Sequence, residues 1–331
     1  MKRRLVLSVA VLLVGAYCYA GNGAGVDEIS IDTRAAFHQQ FDDDAYGSRF
    51  QGEYLNLHVL GTLSDNLSFR IRHRFNKGVN AANPFNATDF LYLKWDMSEH
   101  WALTAGKQPI LVGGYEIDAP PIDVYYFGAF SSNLHLYYAF GASVTYSPVK
   151  GQDVVFQVVP SPVSPVTDNR YSYNLYWNGG FSSWWDTIWS VNLVEDERGK
   201  MMNWISLGNK FHTDRFFVDV DFINRASFHQ KRMLFSDWSL IANAVWSIGK
   251  WNLCSKFGYE RNDAANVDAD GASYDLAFTA GSEFFYGGAG VEYFPLGNDR
   301  LRLHAVFFRN NRDKINNIDI GITWRARIFS R

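Results

Sequence analysis

Apolar and polar residues alternate along most of the chain with a period of two, the pattern of strands whose two faces meet different environments. The stretch LSFRIRHRFNK (67–77) shows it most clearly. Leu67, Phe69, Ile71, His73 and Phe75 take one face, and Ser68, Arg70, Arg72, Arg74 and Asn76 take the other. At 28–41, Ile29, Ile31, Ala35, Phe37 and Phe41 interleave with Asp32, Arg34, His38 and Gln40. At 53–63, Leu55, Leu57 and Val59 interleave with Tyr54, Asn56 and His58. Similar runs recur as far as residue 328, and counting them predicts 16 strands. Two stretches fit less cleanly. The run 201–211 carries apolar residues on both faces, and SYDLAFTAGSEFF (273–285) reads either as an outward extension of a neighbouring strand or as part of a loop.

The connections alternate as well. SDN (64–66), SEH (98–100), PVKGQ (148–152), HTDR (212–215), GK (249–250) and PLGND (295–299) are short, whereas 77–88, 109–135, 226–236 and 262–284 are long and more polar. Tight turns at one end and long loops at the other are the pattern of an outer-membrane barrel. No segment beyond the N-terminal leader has the unbroken apolar length of a membrane helix. The expected fold class is therefore all-β: a 16-stranded antiparallel transmembrane β-barrel with long outer loops. Trp95 and Trp101 flank one short turn, Trp246 and Trp251 another, and Trp184 and Trp185 follow a third. Indoles prefer the membrane–water boundary, so these would form a periplasmic girdle. The alternative is a soluble β-sandwich with core tryptophans, but sixteen strands without a linker are too many for one sandwich.

The arginines of 67–77 then decide what the barrel holds. Facing lipid near the midplane, each would cost roughly 2–4 kcal/mol. They must face the lumen, and a barrel of about sixteen strands encloses water there. Extending the polar register puts Arg34, His38, His58, Arg70, Arg72, Arg74, Lys94, Arg302, His304, Arg325 and Arg327 on one contiguous basic wall, because closure pairs the last strand with the first. Asp219 and Asp221 face them from across the barrel. The third outer loop, 109–135, contains no Lys or Arg but carries Glu116, Asp118 and Asp123. Pro120–Pro121 and its aromatics make it compact, and a loop of this length with its own apolar residues packs on something. The expectation is that it folds inward, narrows the channel and sets its acids against the basic wall. Opposed charges across a constriction create a transverse field and set ion preference. The plainer alternative is a surface loop, with the arginines solvated or paired to neighbours.

Composition sets further bounds. Lys2, Arg3 and Arg4, the apolar run LVLSVAVLLV (5–14) and the small residues Cys18 and Ala20 form a secretory signal peptide. The expected division is residues 1–20 as signal peptide and 21–331 as barrel. Cys18 would suit a lipoprotein site, but bulky Tyr17 before it argues against that. Removing the leader takes three of the 31 basic residues and none of the 34 acidic ones, leaving a net charge of −6 and no reason to expect nucleic acid as a partner. Cys254 is then the single thiol, so no internal disulfide forms. The eight histidines show no HExxH or comparable metal spacing, Asp42–Asp44 reads as a solvated acidic loop, and no Gly-rich phosphate loop is present. No cofactor or metal is expected.

LTAGKQPILVGGYEID, APPIDVYYF and GAGVEYFPLGNDRLRLHAVFF resemble the outer-membrane porins grouped with the phosphate-selective porins O and P. The resemblance implies a sixteen-stranded barrel, commonly a homotrimer, in the outer membrane of a Gram-negative bacterium, with lipid and lipopolysaccharide around it. It implies passive diffusion of small hydrophilic solutes and ions, not catalysis. The chain departs from the phosphate-specialised members, which carry basic residues on the constriction loop. Two other functions compete with a channel. A lipase-type barrel enzyme would need a Ser–His pair near the girdle, and none stands out. A structural barrel would need a plugged lumen, and no plug domain is seen.

Overall fold

The computed structural model describes residues 24–42, 46–79, 83–164 and 169–331. The leader expected over 1–20 and the acids at 43 and 44 lie outside them. Sixteen strands follow in order: β1 Gly25–Phe41, β2 Tyr46–Ser64, β3 Leu67–Arg74, β4 Thr88–Asp96, β5 Trp101–Pro109, β6 Tyr138–Val149, β7 Gln152–Pro160, β8 Tyr171–Ser182, β9 Trp185–Glu195, β10 Met201–His212, β11 Phe216–Ser227, β12 Asp237–Ile248, β13 Trp251–Asn262, β14 Glu283–Tyr293, β15 Leu301–Asn310 and β16 Asn316–Ser330. Each pairs antiparallel with its neighbours in sequence, and β1 pairs with β16 from Glu28↔Ser330 to Phe41↔Asn316. The sheet is a closed barrel, so no edge strand is left unpaired.

Alternation fixes which face each residue takes. Leu93, Phe156, Leu175 and Ile320 point outward and are exposed, as expected for side chains whose partner is hydrocarbon. Trp95, Trp101, Trp184, Trp246 and Trp251 are likewise exposed near the short turns. Arg70, Arg72 and Arg74 pair across to Leu60, His58 and Asn56 and lie on the opposite, lumen-facing register.

The lumen is not uniformly wet. The third outer loop, 110–137, enters the barrel with two short α-helical turns, Tyr115–Asp118 and Ala129–Asn133, and a 3₁₀ turn, Pro121–Asp123, between them. Its Ile110, Val112, Phe130 and Leu134 form a buried apolar cluster with Val159, Val194, Met202, Trp204 and Ile223 on the inner faces of β7 and β9–β11. Phe130 meets Trp204 edge-on, with ring centroids 5.1 Å apart. This explains the two-sided apolar run at 201–211: one face meets lipid, and the other meets the loop. The seventh outer loop, 263–282, also packs inward, and Asn133 donates to its Ala277 carbonyl. The alternating stretch at 273–285 is therefore mostly loop, and only its last residues enter β14. Its Asp275 reaches Arg225, which is fully buried and also bonded to Asp237 and Ser239.

Candidate functional site

The third loop is held against the wall by a ladder of buried polar side chains. Leu111 N–H donates to Gln157, Asn192 donates to the Leu111 carbonyl, Gly113 N–H donates to Ser190, and Ser206 donates to the Gly113 carbonyl. At this level loop backbone lies directly on barrel backbone. A Cβ on Gly113 would come within 2.8 Å of the Ile188 carbonyl oxygen, so only glycine fits. Further along, Asp221 accepts from the amides of Tyr115 and Glu116, both at 2.8 Å. Buried Glu260 accepts from Ala129 and Phe130. These two carboxylates cap the first turns of the loop's two α-helical segments, whose orphan N–H groups favour anions.

From that wall the loop crosses to β1, β15 and β16. Arg34 donates to the carbonyls of Ile122 (2.8 Å) and Val124 (3.0 Å), and Arg302 donates to Ile122 as well. Asp123 sits between Arg302 (2.9 Å) and Arg325 (2.5 Å). Tyr125 donates to Glu292 and lies over the guanidiniums of Arg34 and Arg302. Only Asp123 of the three loop acids reaches the basic wall, and it does so by direct contact rather than across a gap. Glu116 is buried against Lys256 of β13 (2.5 Å), and Asp118 lies beside Tyr176 of β8.

The basic side chains are largely paired. Arg34 binds Glu53, Arg72 and Arg74 share Asp89, and Lys94 binds Asp96. Arg327 binds Glu28, and His58 lies 3.2 Å from Asp32. Arg72 is 5% exposed and stacks on Phe90 and Tyr138, so it is part of the wall rather than of the water. Arg70 is different. It is half-buried, its Cζ lies 4.6 Å from the Phe90 ring centroid, and it has no carboxylate partner among the described residues. Across the barrel, Asp219 accepts from Asn243, and Asp221 is engaged by the loop. The ammonium of Lys210 on β10 faces the rings of Tyr115 and Phe217.

Several partners do not stand out in the sequence. Asp89 sits at the start of β4, Lys256 and Glu260 lie on the polar register of β13, and Asp319 lies on that of β16. The registers of Lys256, Glu260 and Asp319 are legible, but their partners are not. Asp89 shares the outward register of Leu91 and Leu93 and is freed from it by a register shift at Arg72/His73. Glu53 is a second such case. A register shift between β1 and β2 at Arg34/Ala35 leaves it unpaired as a bulge and turns it toward Arg34 and His38. Beside the loop, a cavity of about 500 Å³ remains, lined among others by Lys210, Asp219, Asn243, Lys256, Glu292 and Arg302.

The profile of the phosphate-selective porin O and P family matches residues 28–178. Comparison with curated proteins finds no sequence match. Among solved structures, OmpF of Salmonella typhi, in complex with daunomycin, superposes with a TM-score of 0.66 at 12% identity, covering 92% of this chain and 98% of that one. The anion-selective porin of Comamonas acidovorans gives 0.63 at 11% identity, covering 92% and 100%. In-vitro folded OmpT of Vibrio cholerae, in its trimer form, gives 0.58 at 12% identity, covering 92% and 100%. At these identities the likeness is one of fold. By sequence over residues 28–178 the chain resembles the phosphate-selective porin O and P family, and by architecture around the whole barrel it resembles outer-membrane porins.

Proposed function

We propose that this protein is an outer-membrane channel for passive diffusion of small hydrophilic solutes and ions. The observation that carries the reading is the third loop, tethered to opposite walls of a closed sixteen-stranded barrel, with a charged cavity of about 500 Å³ beside it. A loop bonded on both sides narrows a lumen at a fixed width, which is what size selection needs. Its polar contacts also explain why the loop stays inside without a covalent link.

Charge preference then rests on the cations that protein carboxylates leave over. Arg34, Arg302 and Arg325 are occupied by loop carbonyls, Asp123, Glu53 and Glu292. Phosphate specialisation calls for free cations at the narrowest point, so the reading is a general channel. Among the described residues, Arg70 and Lys210 are lumen cations with no carboxylate within ion-pair distance. The fold shared with OmpT in its trimer form supports a homotrimer surrounded by outer-membrane lipid and lipopolysaccharide. Planar-bilayer recording tests the proposal. Purified protein is expected to give large, steady conductance steps, and a barrel that inserts without ever conducting would overturn it.

A further inference from the structure

Residues without metal spacing along the chain can still meet when a barrel closes. His38 on β1, Glu53 on β2 and Asp319 on β16 come together on the lumen face, and each can offer one ligand atom such that all three lie within 4.8 Å of one another. His38 Nε2 is 3.2 Å from Glu53 Oε1, and His38 Nδ1 is 3.5 Å from Asp319 Oδ2. Charge-assisted hydrogen bonds are shorter, about 2.7–2.9 Å. The two contacts use different ring nitrogens, so an ion on one of them keeps only one of these spacings. That spacing is close to the roughly 3.3–3.6 Å between ligands around a tetrahedral zinc-class ion. The other carboxylate must swing onto the same nitrogen from within the 4.8 Å that the three ligand atoms span.

Both carboxylates are steered from behind. Arg34 holds Oε2 of Glu53, which leaves Oε1 toward His38. His304 of β15 approaches Oδ1 of Asp319 at 3.5 Å, which leaves Oδ2 toward His38. A second sign lies in the buried groups. His304 is 3% exposed, and beyond the 3.5 Å approach of its Nε2 to Asp319 Oδ1, which is too long and misaligned for a hydrogen bond, neither ring nitrogen has a partner among the described residues. Polar atoms at that depth normally have partners. An imidazole that orients a metal-bound carboxylate gains one, as outer-sphere groups do around metal ions.

We propose that His38, Glu53 and Asp319 form a binding site for a divalent transition-metal ion of the zinc class, with Arg34 and His304 as positioning residues. One ring nitrogen of His38 and one oxygen from each carboxylate ligate the ion, and water completes the shell. The site exists because of the bulge that turns Glu53 inward and the closure that sets His38 opposite Asp319. It lies further along β1 toward the long loops than Arg34, so solute passing the Asp123 contact would pass a bound dication too. The competing arrangement is a protonated His38 bridging the two carboxylates with no ion.

Chelator-stripped protein in detergent, titrated with Co²⁺ as a spectroscopic probe and with Zn²⁺ in competition, separates the two. The expected result is one equivalent of Co²⁺ with the absorption of a low-coordinate ion, displaced by Zn²⁺. His38→Gln and Asp319→Asn should each weaken binding at least tenfold, and His304→Gln should weaken it about 10–100-fold at unchanged stoichiometry. Folding of each variant is checked by heat-modifiable migration, and Glu53→Gln serves if another variant does not fold. The readout does not depend on conduction, so it stands apart from the channel proposal. Absence of Co²⁺ binding to the native chain would overturn the site. Binding that survives His38→Gln and Asp319→Asn would also overturn it, and would assign the ion to an exposed histidine such as His100.

Discussion

Replacing Arg70 by Ser removes a guanidinium that no carboxylate neutralises, whereas replacing Arg72 by Ser, one register step along the same face, removes one that is buried and paired. Both substitutions remove one positive charge from the lumen, but only the second also breaks a buried ion pair. A lumen charge about 7 Å from a passing ion contributes roughly 0.6 kcal/mol in water. Screening at 0.1 M salt about halves that. Attraction of anions and repulsion of cations together then amount to about a threefold change in permeability ratio, using the standard conversion of free energy to equilibrium. Arg70→Ser should shift the ratio toward cations by about that factor. It should leave stability nearly intact, since it forfeits only the stacking of a guanidinium on a ring, about 0.5–1 kcal/mol. Arg72→Ser also removes one unit of positive charge, since Arg72 and Arg74 share a single Asp89, so it should shift the ratio in the same direction, and less only because its guanidinium is buried in the wall. Breaking a buried pair costs about 3–5 kcal/mol. Arg74, still 3.1 Å from Asp89, brings the expected loss to the lower end of that range or below. The assay is the reversal potential in a salt gradient, set beside the denaturant midpoint of the same preparations. A shift toward anions in either variant, or a stability loss for Arg70→Ser as large as that for Arg72→Ser, would refute the division into an unpaired and a paired arginine.

Two further outcomes concern the loops. Asp123→Asn removes the charge that Arg302 and Arg325 share; at about 1.5–3 kcal/mol for a charged hydrogen bond, the loop should open roughly ten- to a hundredfold more often. Excess open-channel current noise would report this, and native noise together with native selectivity would count against the clasp. In the outer loops, Asp268 ties Arg198 and Lys200 together. The Lys200 hydrogen bond first, then the amides of Ala272 and Asp270, hold its carboxyl down to about 2. A depressed folded value means the interaction is complete above the unfolded value of about 4 and disappears as the pH falls through about 2. Hydrogen-exchange protection at 196–200 and 263–275, taken relative to the intrinsic rate at each pH, should fall across that window and stay flat between pH 5 and 8. Loss of protection already at pH 6 would contradict it.

Period-two alternation makes the number of strands, their faces and the closed architecture legible in the sequence, because it is a local property and lipid tolerates no guanidinium. The same reasoning places Arg34, the Arg70–Arg74 ladder, Arg302 and Arg325 on the inner register, and marks the third loop as one that must pack against something. Which carboxylate meets which arginine is not legible. Arg302 and Asp123 are far apart along the chain, as are Arg34 and the carbonyl of Ile122, and only barrel closure and the path of the loop bring them together. The inward turn of Glu53 depends on a bulge between paired strands, which one strand's pattern does not show. The apolar inner face at Met202 and Trp204 reads as a defect in the alternation until the loop is seen to cover it. The sequence by itself determined a barrel with charge inside. Tertiary structure decided how much of that charge is free, because pairing depends on distances across the lumen that no local pattern encodes.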